Sequence, residues 1–266
     1  MRWLVRFGYD GSEFHGWARQ PGLRTVEGEI RSGLARQGVA TSASAARLEV
    51  ASRTDRGVSA RANALAVTSP RSGAALLRGL NGIAPDVFCT AAAPIPESFR
   101  VRAATRRIYR YYEPTSCSAL ARWQEAARLF RGPIDVRSFG RGLRSEVPSH
   151  RTIERVDVRE ISGGLVVEIR APSFVWGMVR KIVAALREYD SERLSRERLT
   201  AAIAGRERLT LPLAEPDRLV LWEVEYPVEW TMSWVGPNRH QAAREARVRR
   251  GLWARTELLR AIAPTG

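Results

Sequence analysis

Cysteine, histidine and lysine are all scarce in this chain. Two cysteines, Cys89 and Cys117, cannot build a disulfide framework, and with three scattered histidines they offer no metal-ligand spacing. No segment reaches the ~20 consecutive apolar residues of a membrane-spanning helix. The N-terminal stretch MRWLVRFGYDG enters a strand-like pattern at once, without the apolar segment and cleavage site of a secretory signal. These absences predict a cytoplasmic protein with no metal and no cofactor. Nor does the composition suit wholesale disorder, since 44% hydrophobic and 27% charged residues is an ordinary globular balance.

What is abundant is arginine. The 43 Lys+Arg residues include a single lysine, Lys181, and face only 28 Asp+Glu, giving a net charge of +15. A surplus of that size points to a polyanionic partner, because phosphates neutralised by basic side chains release condensed counterions. Arginine adds bidentate phosphate contacts and stacking on bases, both suited to RNA. Codon bias explains part of the preference for arginine over lysine, but not the surplus of charge.

A length of 266 residues is comfortable for two small domains. Residues 2–9 alternate as a strand that ends in the turn residues Asp10-Gly11-Ser12. Thr25 is an N-cap for a helix with Val26, Ile30 and Leu34 on one face. Further strands are expected at 48–52, 64–68 and 87–93, with a short helix at 76–80. A second unit starts near Thr105, with a strand at 108–112 and a helix at 120–130 whose Leu120, Ala127 and Phe130 lie near one face. Strands at 153–161 and 165–169 flank the hairpin signal Gly163-Gly164; a buried helix at 178–186 and a strand at 219–226 follow. The alternation predicts an α+β protein of two sandwiches side by side. The proposed units are 1–104, 105–227 and a basic helical extension, 228–266.

Asp55 stands between Arg53 and Arg56 and two residues before Gly57. Read alone, it fits two roles. Asp and Gly favour tight turns for backbone reasons; a carboxylate flanked by guanidiniums also stays ionised at neutral pH and can attack an electrophilic carbon. Spacing does not choose between them.

A longer pattern does. The string Arg53-Thr54-Asp55-Arg56-Gly57-Val58 resembles the RTD-x-GV motif of the TruA family of tRNA pseudouridine synthases. Tyr9-Asp10-Gly11-Ser12, Gly16-Trp17-x-Arg19-Gln20 and Thr25-Val26-Glu27 are similar to its N-terminal signature. Leu80-Asn81, Pro85-Asp86-Val87 and Phe99 to Arg102 follow in family order. So do Arg107-x-Tyr109-Arg110-Tyr111, Phe174-x-x-x-Met178-Val179-Arg180-x-Ile182-Val183, and Pro216 to Pro227. The likeness spans residues 3–227, with an archaeal flavour at Arg56 and Ser59. Arg218 stands where the family usually has glycine, the stretch between Tyr112 and Phe139 is short, and nothing after Pro227 matches.

The resemblance implies two ferredoxin-like (RRM-like) domains around a basic cleft, a homodimer, and tRNA as partner. It implies that uridines at positions 38, 39 or 40 of the anticodon arm are flipped out and isomerised to pseudouridine. Asp55 takes the place of the catalytic aspartate, which attacks C6 of the uracil or C1′ of the ribose. The base is then detached, rotated and rejoined to the sugar through carbon. Tyr109 matches a tyrosine that stacks on the target uracil, although a half-buried strand aromatic would look the same. Arg180 matches an arginine that pairs with the carboxylate; its apolar neighbours argue against a solvated charge, and a buried arginine needs an anion. Arg53 matches an arginine that fills the space left by the flipped base, though simple phosphate binding suits it equally. Leu221 matches a residue lining the pocket, in a context that also suits plain core. Trp17, Trp176 and Trp222 recur near these motifs and receive no role. Two competitors remain in view: an idle RNA-binding protein on the same fold, disfavoured by the intact Asp55, Tyr109 and Arg180 set, and a metal-dependent nuclease, which would need carboxylates clustered around Asp55.

Overall fold

The computed structural model describes residues 1–39, 47–83, 86–115, 119–143 and 149–233. The first half runs β1 (Arg2–Tyr9), α1 (Val26–Arg36), β2 (Glu49–Val50), β3 (Ser59–Thr68), α2 (Gly73–Ile83) and β4 (Val87–Ile95). The second begins with β5 (Arg106–Glu113), α3 (Leu120–Leu129), β6 (Gly132–Asp135), β7 (His150–Ile153) and β8 (Arg155–Ile161). It continues through β9 (Gly164–Ala171), α4 (Met178–Asp190), α5 (Arg196–Ile203), β10 (Leu219–Glu225) and β11 (Met232–Ser233).

Helices and strands interleave as an α+β fold. The two halves nevertheless do not keep separate antiparallel sheets. Among the described residues one mixed sheet runs β11-β4-β1-β3-β10-β5-β9-β8, with β2 attached to β3 and β6-β7 forming a small hairpin of their own. The join is β10, which lies parallel to β3 (Val220 opposite Ser59, Leu221 opposite Ala60) and antiparallel to β5. β1 occupies one edge of β3 from Ala60 to Thr68, so β2 and β10 must share the other. β2 takes Leu65 and Ala66 near one end of that edge, and β10 takes Ser59 and Ala60 at the other. Residues 51–58 connect β2 back to β3, which puts Asp55 at the seam between the halves.

Local chemistry explains the elements. Thr25 caps α1, its Oγ1 accepting from Gly28 N at 3.3 Å, and Val26, Ile30 and Leu34 are buried on the inner face. Gly163 and Gly164 both take positive φ, +84° and +154°, where a tight hairpin needs residues without Cβ. In α3 and its C-cap, Ala127 and Phe130 of the expected face are buried and Leu120 is partly covered. Trp123 and Ala126 are buried with them, so the large indole also faces the core. The strand expected over 153–161 is broken at Glu154, because β7 turns away to pair with β6 while β8 pairs with β9. α5 carries only two buried apolar residues, Leu199 and Ala202, among arginines and glutamates, too faint a period to find by pattern. The basic helix expected beyond Asn238 lies outside the described residues.

Phe130 and Phe139 are fully buried and meet edge to face, with centroids 5.2 Å apart. Phe130→Ala is expected to lose about 3–5 kcal/mol of stability, seen as a lower urea midpoint with an unchanged slope.

Candidate active site

The Asp55 loop is built by the motifs quoted above from the N-terminus. The Tyr9 hydroxyl and Thr54 Oγ1 share a buried 2.7 Å hydrogen bond, and Trp17 N donates to Thr54 O at 3.0 Å. A Cβ on Gly11 would lie 2.2 Å from Val58 O, and one on Gly16 only 3.0 Å from Thr54 O. Both glycines therefore let the segment after β1 lie directly against the backbone of the loop. Gly16 and Trp17 in turn accept from Val26 N and Glu27 N, tying the loop to the start of α1. Inside the loop Val58 N donates to Asp55 O at 3.2 Å, and Gly57 at φ +83° lets the chain return into β3.

Asp55 projects into a cavity of about 550 Å³, within the size range of small-ligand sites. Both carboxylate oxygens are engaged. Arg180 Nη1 lies 3.1 Å from Oδ2, and Trp176 Nε1 donates to Oδ1 at 2.8 Å. Arg180 sits in the first turn of α4, its side chain 12% exposed, and its Nε donates to Ala214 O at 2.5 Å. A half-buried carboxylate and a mostly enclosed guanidinium drawn together from the two halves are less screened than a surface pair.

The segment carrying Ala214 is itself clamped. Glu215 accepts from Arg187 Nη2 at 2.7 Å and from the Tyr111 hydroxyl at 2.9 Å. The Arg187 hydrogen bond is the main reason its carboxyl is held down to about 2. A depressed carboxyl stabilises the fold above its ordinary range and loses that contribution as pH falls towards 2. The clamp that anchors Arg180 thus stays charged across the physiological range.

Tyr109 lies on β5 opposite Leu221 and Ile169, and its ring meets Phe174 edge to face with centroids 5.0 Å apart. It is 8% exposed and lines the cavity. Burial pushes its phenol upward; a hydrogen bond with Ser52 and the Arg107 charge oppose that, and the Asp55 charge adds to the rise. At neutral pH Tyr109 is therefore a phenol, able to donate a proton or a hydrogen bond. Arg53 also borders the cavity and is exposed, and it lines a second, smaller cavity of about 210 Å³ beside Glu27, Glu49 and Arg102. Leu221 is fully buried against Tyr109 in the sheet, and the cavity wall on β10 is Leu219 instead.

Two lining residues were without a role in the sequence. Arg107 is 7% exposed, yet its hydrogen-bond partners among the described residues are all neutral: Ser52 Oγ at 3.0 Å and the carbonyls of Ala51, Arg102 and Pro172. It bolts the start of the Asp55 loop to β5 and leaves a positive charge at the wall. Its place in the Arg107-x-Tyr109 alternation, which puts both side chains on one face of the strand, was the available signal. Trp176 is the other, and no periodicity announces it. Among the described residues no group of three or more His, Cys, Asp or Glu gathers as a metal set, and no helix is long and apolar enough to cross a membrane.

The geometry defines an enzyme-like site, a clamped carboxylate in an arginine-lined cleft, and comparison with known proteins gives its class. A family model for tRNA pseudouridine synthase matches residues 126–227. The chain is 41% identical over 229 residues to the tRNA pseudouridine synthase A of Thermococcus kodakarensis, covering 85% of each. It is 39% identical over 207 residues to that of Pyrococcus abyssi, covering 77% of this chain and 76% of the relative. With that of Methanosarcina barkeri it shares 37% identity over 189 residues, 70% of each chain. The chain belongs to the tRNA pseudouridine synthase A (TruA) family, and is an isomerase.

Proposed function

We propose that this protein converts uridine to pseudouridine at positions 38, 39 or 40 of the tRNA anticodon arm, with Asp55 as nucleophile. The observation that carries the reading is the Asp55 carboxylate, set in the cavity and bonded to Arg180 across the seam. The target uridine leaves its stack, at a cost of a few kcal/mol, and enters the cavity. Asp55 bonds to C6 of the uracil or C1′ of the ribose. The N1–C1′ bond breaks, the base turns, and a C5–C1′ bond forms; the bond to Asp55 breaks and returns its electron pair to the carboxylate, and the hydrogen on C5 is lost while N1 gains one. Substrate and product are isomers, so the reaction involves no net oxidation or reduction.

Tyr109 stacks on the uracil and serves the proton step at C5. Arg180 orients the carboxylate. Arg53, at the mouth, takes the space vacated by the flipped base, and Leu221 supports the floor beneath Tyr109. The two halves, 1–104 and 105–227, act as ferredoxin-like units whose joined sheet presents the cleft, and 228–266 extends the basic surface towards RNA. The enzyme works as a homodimer in the cytoplasm on a tRNA partner.

The test is pseudouridine formation by purified protein on prefolded, unmodified tRNA in excess EDTA. Full activity is expected. Activity that returns only when one particular metal is restored would contradict the reading.

A further inference from the structure

We infer that Trp176 is a latch on Asp55, whose indole N–H holds Oδ1 while the site is empty and withdraws when a uridine enters. The inference rests on the proposed role of Asp55. In the structure each carboxylate oxygen already accepts a hydrogen bond, Oδ2 from Arg180 and Oδ1 from Trp176. A hydrogen bond lowers the nucleophilicity of the oxygen that accepts it, so attack favours release of one of the two donors, and they are held very differently. Arg180 is fixed by a second hydrogen bond to Ala214 O and is mostly enclosed. Trp176 is 54% exposed, one of few large hydrophobic side chains left in solvent among the described residues, and its indole N–H is committed to Asp55.

The surroundings of the indole suit movement. Arg141 stacks on the ring, its guanidinium carbon 4.6 Å from the centroid, and Arg141 N donates to Trp176 O at 2.8 Å. The backbone of Trp176 is therefore tied down, while a face of the ring is covered by a side chain that can follow it. A Cβ on Gly142 would lie 3.5 Å from two ring carbons, a contact that the glycine leaves unmade. Gly177, at φ +77°, supplies the turn that aims Trp176 at the cavity before α4 starts. An aromatic donor anchored by its backbone, exposed on its ring and bonded to the carboxylate oxygen opposite the permanent Arg180 contact is built to be displaced. Oδ1 is then the oxygen that turns to the uridine, and a nucleotide that fails to displace the indole does not meet it.

A hydrogen bond that must be broken on entry opposes binding. Trp176→Phe keeps an aromatic ring and removes the N–H, so it should tighten binding of an unmodified tRNA transcript by about three- to tenfold. In an Asp55→Ala background the acceptor is gone and the same substitution should leave Kd unchanged, a non-additivity that a purely structural or stacking role does not produce. Stopped-flow tryptophan fluorescence supplies a second measurement on the unaltered enzyme: tRNA binding should give an emission change that Trp176→Phe lacks. An equal effect of Trp176→Phe in both backgrounds, weaker binding in the Asp55 enzyme, or no fluorescence difference would overturn the latch. Absence of pseudouridine formation by the wild-type enzyme would instead reject the proposed activity on which the latch rests.

Discussion

Asp55→Asn is expected to slow pseudouridine formation by at least on the order of 10⁴-fold, since removal of a nucleophile from a concerted set abolishes most of its catalysis. Binding should survive. Asparagine matches aspartate in shape and keeps an acceptor oxygen for Trp176 Nε1, which bonds to Oδ1 at 2.8 Å. The phosphate contacts that dominate RNA affinity come from the arginines, and most of those lie elsewhere in a chain with 43 basic residues. The fold should tolerate the change too, because the Asp55 side chain is 32% exposed and its pair with Arg180 is not deep core. Single-turnover kinetics paired with filter binding separates the two effects. A mutant that turns over at a rate comparable to wild type would remove Asp55 from the chemistry.

Tyr109→Phe should cost on the order of 10²–10⁴ in single-turnover rate, the usual worth of a positioned proton donor or acceptor, with tRNA affinity unchanged. Phenylalanine keeps the ring against Phe174 and the packing beside Leu221. What it removes is a phenol raised by burial and therefore protonated at neutral pH. The loss should accordingly be in kcat rather than KM. Wild-type rates in the mutant would leave Tyr109 as a stacking surface alone.

Much of this site is legible in the sequence because its scaffold is local. Gly11 and Gly16 are required by backbone contacts under 3.1 Å from any added Cβ, so the Asp10-Gly11 and Gly16-Trp17 strings mark the support of the Asp55 loop as well as a turn. The apolar spacing around Arg180 gave α4, and α4 delivers the guanidinium to Asp55 across 125 residues of sequence. What periodicity misses is what depends on the joining of the halves. β10 reads as a strand from its own residues, but nothing in them says that it pairs parallel with β3 and turns two sheets into one. Arg107 reads as a strand arginine, and only the structure reveals neutral partners on every side. Trp176 lies in a connecting turn before α4, where neither the strand nor the helix period applies. Trp123 escapes the pattern in α3 because it sits among Arg, Gln and Glu, which blur the apolar stripe.

The most direct test of the account is nucleotide-resolution mapping of pseudouridine in unmodified tRNA transcripts treated with the purified protein, with Asp55→Asn as control. The account predicts new pseudouridine confined to positions 38, 39 or 40 in the wild-type reaction and none in the control. Pseudouridine outside the anticodon arm, or at the same positions with the control protein, would contradict it.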